Sequence, residues 1–111
     1  MRTLQFVVDG HNLKLDSNAN TKGLRPGTEK EVKAEFIFSD EWKGMTKVVS
    51  FTSLLGEEYP PQLIVEGDFC MIPKEALCKT AFEIQVLGRT RWSNDIIKTK
   101  KLTFVQNGGN A

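Results

Sequence analysis

A chain of 111 residues with 40% hydrophobic and 26% charged side chains has the length for one hydrophobic core and not two, and needs no disulfides or metals as staples. Fifteen Lys and Arg against fourteen Asp and Glu leave a formal charge of +1, which excludes a global field drawing the chain onto nucleic acid or an anionic bilayer. No apolar run approaches the ~20 residues of a membrane-spanning helix, and the stretch after Met1-Arg2-Thr3-Leu4-Gln5 contains Asp9 and lacks the apolar core of a secretory signal, so synthesis in the cytosol without membrane insertion is expected.

Leu4, Phe6 and Val8 alternate with Thr3, Gln5 and Val7, and His11, Leu13 and Leu15 resume the alternation after Asp9-Gly10. This predicts a hairpin turning at Asp-Gly, with Val8 opposite His11. Residues 16–28 collect turn formers and almost no apolar side chains, which predicts an exposed excursion that orders on a neighbour. Within it Leu24 and Arg25 are candidate interface residues. Val32, Ala34, Phe36 and Phe38 then mark one face of a strand, and Glu31, Lys33, Glu35 and Ile37 the other. Ser39 to Gly44 reads as a turn, and Lys47 to Thr52 as the neighbouring antiparallel strand.

Leu54 to Pro61 has no strand period, and Pro60-Pro61 cannot donate to a ladder, so it reads as a connection or an edge. Gln62 to Val65 and Phe69 to Ile72 are further strands around the turn Glu66-Gly67-Asp68, and Pro73 to Leu77 predicts about one helical turn. Ala81 to Val86 alternates until Gly88 ends it. A last segment from Ile96, interrupted by Lys98, Lys100 and Lys101, is two short strands or one with a bulge. The whole predicts an all-β sandwich or small barrel of about seven or eight strands, with residues 1–106 as the single domain and 107–111 as a flexible tail.

The chemistry-bearing residues are sparse. His11 is the only histidine, so a multi-histidine metal site is excluded, and its place beside a tight turn favours a solvated or cross-strand polar role. Cys70 and Cys78 lack zinc-ligand spacing and read as reduced packing residues. Glu57-Glu58 and Glu66/Asp68 are turn acids, and no glycine-rich phosphate loop occurs. No catalytic, metal or cofactor-binding residue is therefore assigned. Arg89-Thr90-Arg91-Trp92 with the nearby lysines carries the residue types of a single-strand nucleic-acid platform, yet reads more simply as a solvated turn with an anchoring Trp. Trp42 reads as a plug over one end of the core or as a contact anchor. Leu54, Leu55 and Tyr59 either cap the core or face a partner. With Arg91 and Trp92 they complete the candidate interface.

Four runs together resemble a family of small β-rich virion structural proteins of tailed bacteriophages: Phe36-Ile37-Phe38-Ser39-Asp40-Glu41-Trp42-Lys43-Gly44, Val48 to Phe51, Glu66 to Pro73, and Phe82 to Gly88. In that family a Ser-x-x-Trp corner, here Ser39 to Trp42, precedes the second core strand. An x-Cys-x-x-Pro step, here at Cys70 and Pro73, leads into the short helical turn. The resemblance spans about Val32 to Lys98 and implies a single Ig-like antiparallel β-sandwich. Related domains occur in tail-fibre, baseplate or capsid-surface proteins, some followed by a receptor-binding module. The expected function is virion assembly through protein–protein contacts, as a capsid decoration, head-fibre base or tail and baseplate adaptor. Its partners would be itself or other virion proteins, with no cofactor and no nucleic acid. The alternatives are a receptor- or carbohydrate-binding module at a fibre tip, and a small inhibitor of a host protein.

Overall fold

The computed structural model describes residues 2–27, 29–64, 66–90, 92 and 95–106. The expectations at Arg91 and at 107–111 lie outside them. Nine strands, β1 (Arg2–Asp9), β2 (Asn12–Leu15), β3 (Val32–Phe38), β4 (Thr46–Ser53), β5 (Gln62–Leu63), β6 (Phe69–Met71), β7 (Ala81–Arg89), β8 (Ile96–Lys98) and β9 (Leu102–Val105), occur among the described residues together with one helical turn, α1 (Lys74–Leu77). They form two facing sheets, ordered β2-β1-β3-β6 and β5-β4-β7-β8, with β9 also on β7. The result is mostly β and sandwich-like, as the alternating side chains require.

The inward residues are those the period of two selects. Leu4, Phe6, Val8, Val32, Ala34 and Phe36 come from one sheet, and Val49, Phe51, Phe82, Ile84, Val86 and Phe104 from the other. Phe6 meets Phe36 at 5.4 Å between ring centroids and Phe104 of the opposite sheet at 6.3 Å, which joins the layers by stacked and edge-on aromatic contacts.

Three expectations are corrected. The hairpin turns at Gly10-His11, with Asp9 opposite Asn12 and Val8 opposite Leu13. Gly10 has a φ of +60° and His11 is not in the positive-φ region, the pattern of a turn with glycine at its first central position. The shift moves the pairing by two residues, so the same side chains still face the core.

β3 and β4 are not neighbours. β3 pairs in parallel with β1, Arg2 opposite Val32 through Val8 opposite Phe38, while β4 lies in the other sheet between β5 and β7. A short 3-10 turn at Asp40–Trp42 carries the chain across. Trp42 is completely buried there, its indole N–H donating to the Gly10 carbonyl at 3.0 Å. The parallel pair needs a long return connection, which residues 16–31 supply.

Gly88 does not end β7. It is buried inside the strand, where a Cβ would lie 2.7 Å from the Trp42 ring. Glycine here makes room for the indole.

Candidate assembly surface

The register of β4 and β7 defines two ends of the sandwich. Thr46 lies opposite Arg89 at one end, and Ser53 opposite Phe82 at the other. Seven residue steps separate these rungs, about 23 Å at the usual rise of a strand. The 9–12 hairpin, the Trp42 corner and Trp92, which falls in sequence between the paired Arg89 and Ile96, lie at the first end. The Leu54-Leu55 turn, α1, Arg2 and Gln106 lie at the second.

The candidate interface residues divide accordingly. Leu55 is 98% exposed and Leu54 58% exposed at the second end, and Trp92 is 92% exposed at the first. Arg25 is also exposed. Leu24 and Tyr59 are core residues instead, 1% and 5% exposed. Leu24 anchors the 16–27 segment as a strap: the Arg2 guanidinium donates to the carbonyls of Asn20 and Lys22 at 2.9 and 2.8 Å and pairs with Glu29, and the Gly27 N–H donates to the Leu77 carbonyl at 2.8 Å. The strap is thus tied to the domain, which corrects its reading as a wholly exposed excursion. Tyr59 is drawn inward because its N–H donates to the Phe51 carbonyl at 3.0 Å, which lays the segment against β4.

Six of the seven exposed large apolar side chains among the described residues belong to the five-stranded sheet or to turns leaving it: Leu54, Leu55, Leu63, Trp92, Ile96 and Val105. Register places Leu63, Val48 and Leu87 side by side on the outward face, with Ile96 two residue steps away opposite Arg89. Thr46, Val48, Leu87, Arg89 and Ile96 line a shallow concavity of about 340 Å³ there. The single-face alternation argument missed this stripe. Its signal is a set of apolar doublets, Val48-Val49, Leu63-Ile64, Val86-Leu87 and Ile96-Ile97, each of which puts one side chain in the core and one outside.

A second depression of about 350 Å³ opens beside the Leu54-Leu55 turn, lined also by Ser53, Glu57, Lys79, Thr80 and Ala81. The Ser53 hydroxyl shapes this turn by accepting from the N–H groups of Leu55 and Glu57 at 3.2 and 2.9 Å, so both leucines are held outward.

The titratable groups near the Trp42 corner brace the fold. The Ser39 hydroxyl accepts from the Gly10 N–H at 3.0 Å and donates to Glu41. That hydrogen bond is the main reason the Glu41 carboxyl sits below its ordinary range, with the neighbouring His11 a smaller contribution. His11 Nδ1 lies 2.9 Å from the Lys98 carbonyl. A carbonyl only accepts, so Nδ1 carries the proton. The Ser39 hydroxyl therefore addresses a carboxylate, and His11 clips the β1–β2 turn to β8. Cys70 is buried and Cys78 exposed, both free; the packing role holds for Cys70 alone. Among the described residues no group of three or more His, Cys, Asp or Glu is placed to hold a metal ion, and no helix is long and apolar enough to cross a membrane.

A scan against protein-family models finds no match, and no curated protein matches the chain.

Proposed function

We propose that this chain is a structural module that acts by protein–protein assembly, an Ig-like sandwich that presents its five-stranded sheet and adjoining turns to neighbouring subunits. The observation that carries this reading is the one-sided distribution of exposed apolar side chains, six of seven on or beside that sheet. Exposed apolar side chains gathered on one face are what a protein contact buries. The Ser39-to-Trp42 corner and the Cys70-to-Pro73 step, which carry the resemblance to small virion proteins of tailed phages, support placing the module in a phage particle, as a capsid-surface, fibre-base or tail and baseplate component.

Quantitative mass spectrometry of intact particles tests this directly. A fixed, repeated copy number supports the proposal, and absence from mature particles overturns it. Leu63→Lys with Leu87→Lys, which leave the core untouched, are expected to lower that copy number while the isolated domain keeps its thermal transition.

Trp92 favours one rival reading, since an indole this exposed is suited to stacking on a sugar ring. Glycan-array binding lost on Trp92→Ala would select the receptor-binding alternative.

A further inference from the structure

We propose that two copies of this chain pair edge to edge through β9, antiparallel about a two-fold axis at Phe104, so that their five-stranded sheets join into one. This rests on the assembly reading and adds a partner, an edge and a symmetry to it.

β9 is bonded on one side only. It pairs with β7, Ala81 opposite Val105 through Ile84 opposite Leu102, and no other described strand is hydrogen-bonded to it. The Gln106 N–H donates to the Thr80 carbonyl at 2.6 Å, which fixes the phase of the ladder. In an antiparallel pair every second residue bonds across, so Leu102, Phe104 and Gln106 turn their N–H and C=O groups to β7, and Thr103 and Val105 turn theirs away. Among the described residues those outward groups of Thr103 and Val105 have no hydrogen-bond partner. Just upstream the chain closes the same flank itself, the Lys100 N–H donating to the His11 carbonyl at 2.7 Å and His11 Nδ1 to the Lys98 carbonyl at 2.9 Å. That closure stops where β9 begins.

A free edge is a template for a further strand, and proteins blunt such edges with charge, proline or brevity. Leu102-Thr103-Phe104-Val105 carries neither charge nor proline, whereas β2 carries Lys14 and β5 is two residues long. The edge is also complementary to itself. Lys100 and Lys101 precede the strand, so parallel pairing of two copies would set these cations side by side, and antiparallel pairing sends them to opposite ends of the joint. Centred on Phe104, the antiparallel register puts Thr103 opposite Val105 of the partner copy and Val105 opposite its Thr103. All the free groups of both copies are then satisfied together, and β-branched side chains pair across the joint. The two outward faces come to lie on the same side of the joined sheet, so the stripes over Val48 and Leu87 of both copies form one surface.

The contact is small. Four residues per copy fall short of the roughly 20–30 a side of a standard interface. Association is therefore weak in dilute solution and gains strength when copies are held together, where a second contact becomes effectively intramolecular.

The test follows the whole chain by sedimentation velocity and amide hydrogen exchange over rising concentration. Dimers are expected, with exchange at Thr103 and Val105 slowing as they form while Phe104, bonded to β7, exchanges slowly throughout. Thr103→Pro removes an N–H that points away from β7, a place where an edge strand tolerates proline. It is expected to weaken association about tenfold or more, since each dimer loses two hydrogen bonds, with an unchanged thermal transition. If that transition falls, exchange in the unaltered chain decides. Dimers whose Thr103 and Val105 amides exchange as fast as in the monomer, or association unaffected by a folded Thr103→Pro chain, would overturn the edge pairing and leave the assembly reading intact. A chain that stays monomeric at every concentration also overturns it, and copy number in the particle then decides the assembly reading separately.

Discussion

A Cβ added at Gly88 would meet the Trp42 ring at 2.7 and 2.9 Å and the Met45 sulfur at 3.0 Å, and neither a buried indole nor the strand backbone has room to retreat. Gly88→Ala is expected to cost about 1–3 kcal/mol as overpacking, read as a lowered urea midpoint. Tyr59 should respond in the opposite sense. Its hydroxyl is buried with no hydrogen-bond partner, a group that costs free energy to desolvate, so Tyr59→Phe is expected to raise stability by up to about 1 kcal/mol. A lower urea midpoint for that variant would reveal a partner for the hydroxyl. Burial pushes the Cys70 thiol from 9.0 up to about 12, because the thiolate is the form that desolvation disfavours. The unfolded chain loses this proton near the ordinary value and the folded chain keeps it. The folded state therefore binds more protons between about pH 9 and about pH 12, and stability falls as pH rises through that window. Urea midpoints taken across it should decline less steeply in Cys70→Val, by at most about 1.4 kcal/mol per pH unit. At this scale the sequence was uneven as a guide. Trp42 as a core plug was readable from its place beside Phe38, and the exposure of Leu54 and Leu55 removes the reading of them as core caps. Leu24 was not readable as core, and Tyr59 was left open between core and partner, because an apolar side chain in an aperiodic segment has no neighbour pattern to show which way it turns.

The paired elements β8 and β9 show what alternation does and does not reveal. Three residue steps along β7, from Leu87 to Ile84, are matched by four from Lys98 to Leu102. The lysines that interrupt the apolar period thus mark one extra residue in a continuing ladder, a β-bulge. The ladder is repaired at Thr99. Its N–H donates to the Val86 carbonyl at 2.9 Å, its hydroxyl accepts the Val86 N–H at 3.1 Å, and its own carbonyl accepts from the Gln85 amide at 2.7 Å. Thr99→Val keeps the shape and removes the hydroxyl acceptor, leaving a buried N–H unpaired. A loss of about 1–3 kcal/mol is expected, together with faster hydrogen exchange at the Val86 amide. Unchanged exchange there would show that another acceptor replaces the hydroxyl. Residue type told of a break in this segment, and only the register tells that the break is one residue long.

Over the whole molecule, the strands were legible and their partition between sheets was not. β1, β3 and β7 announce themselves by a period of two, but sequence neighbours β3 and β4 face each other across the core while β1 and β3, separated by the strap, lie side by side. Local pattern specifies which side chains turn inward, whereas pairing between distant segments depends on the Trp42 corner and on the route of residues 16–31, neither of which has a periodicity to read. The outward apolar stripe escaped for a related reason: its members lie on four different strands and become a surface only after pairing. The same topology brings the first and last described residues to one end. Arg2 holds the strap, whose Gly27 donates to the Leu77 carbonyl, and the Gln106 amide donates to that carbonyl at 2.9 Å and to the Lys79 carbonyl at 2.7 Å. The strap held by Arg2 and the Gln106 side chain thus meet at the Leu77 carbonyl, an arrangement suited to circular permutation. A circular permutant cut in the β7–β8 turn, its original ends bridged by a short polar linker, is expected to reach the same two-sheet arrangement, with a native-like amide spectrum as the readout. Collapse to an unfolded spectrum would mean that the order in which segments emerge, and not only the finished set of pairings, directs this chain to its sandwich.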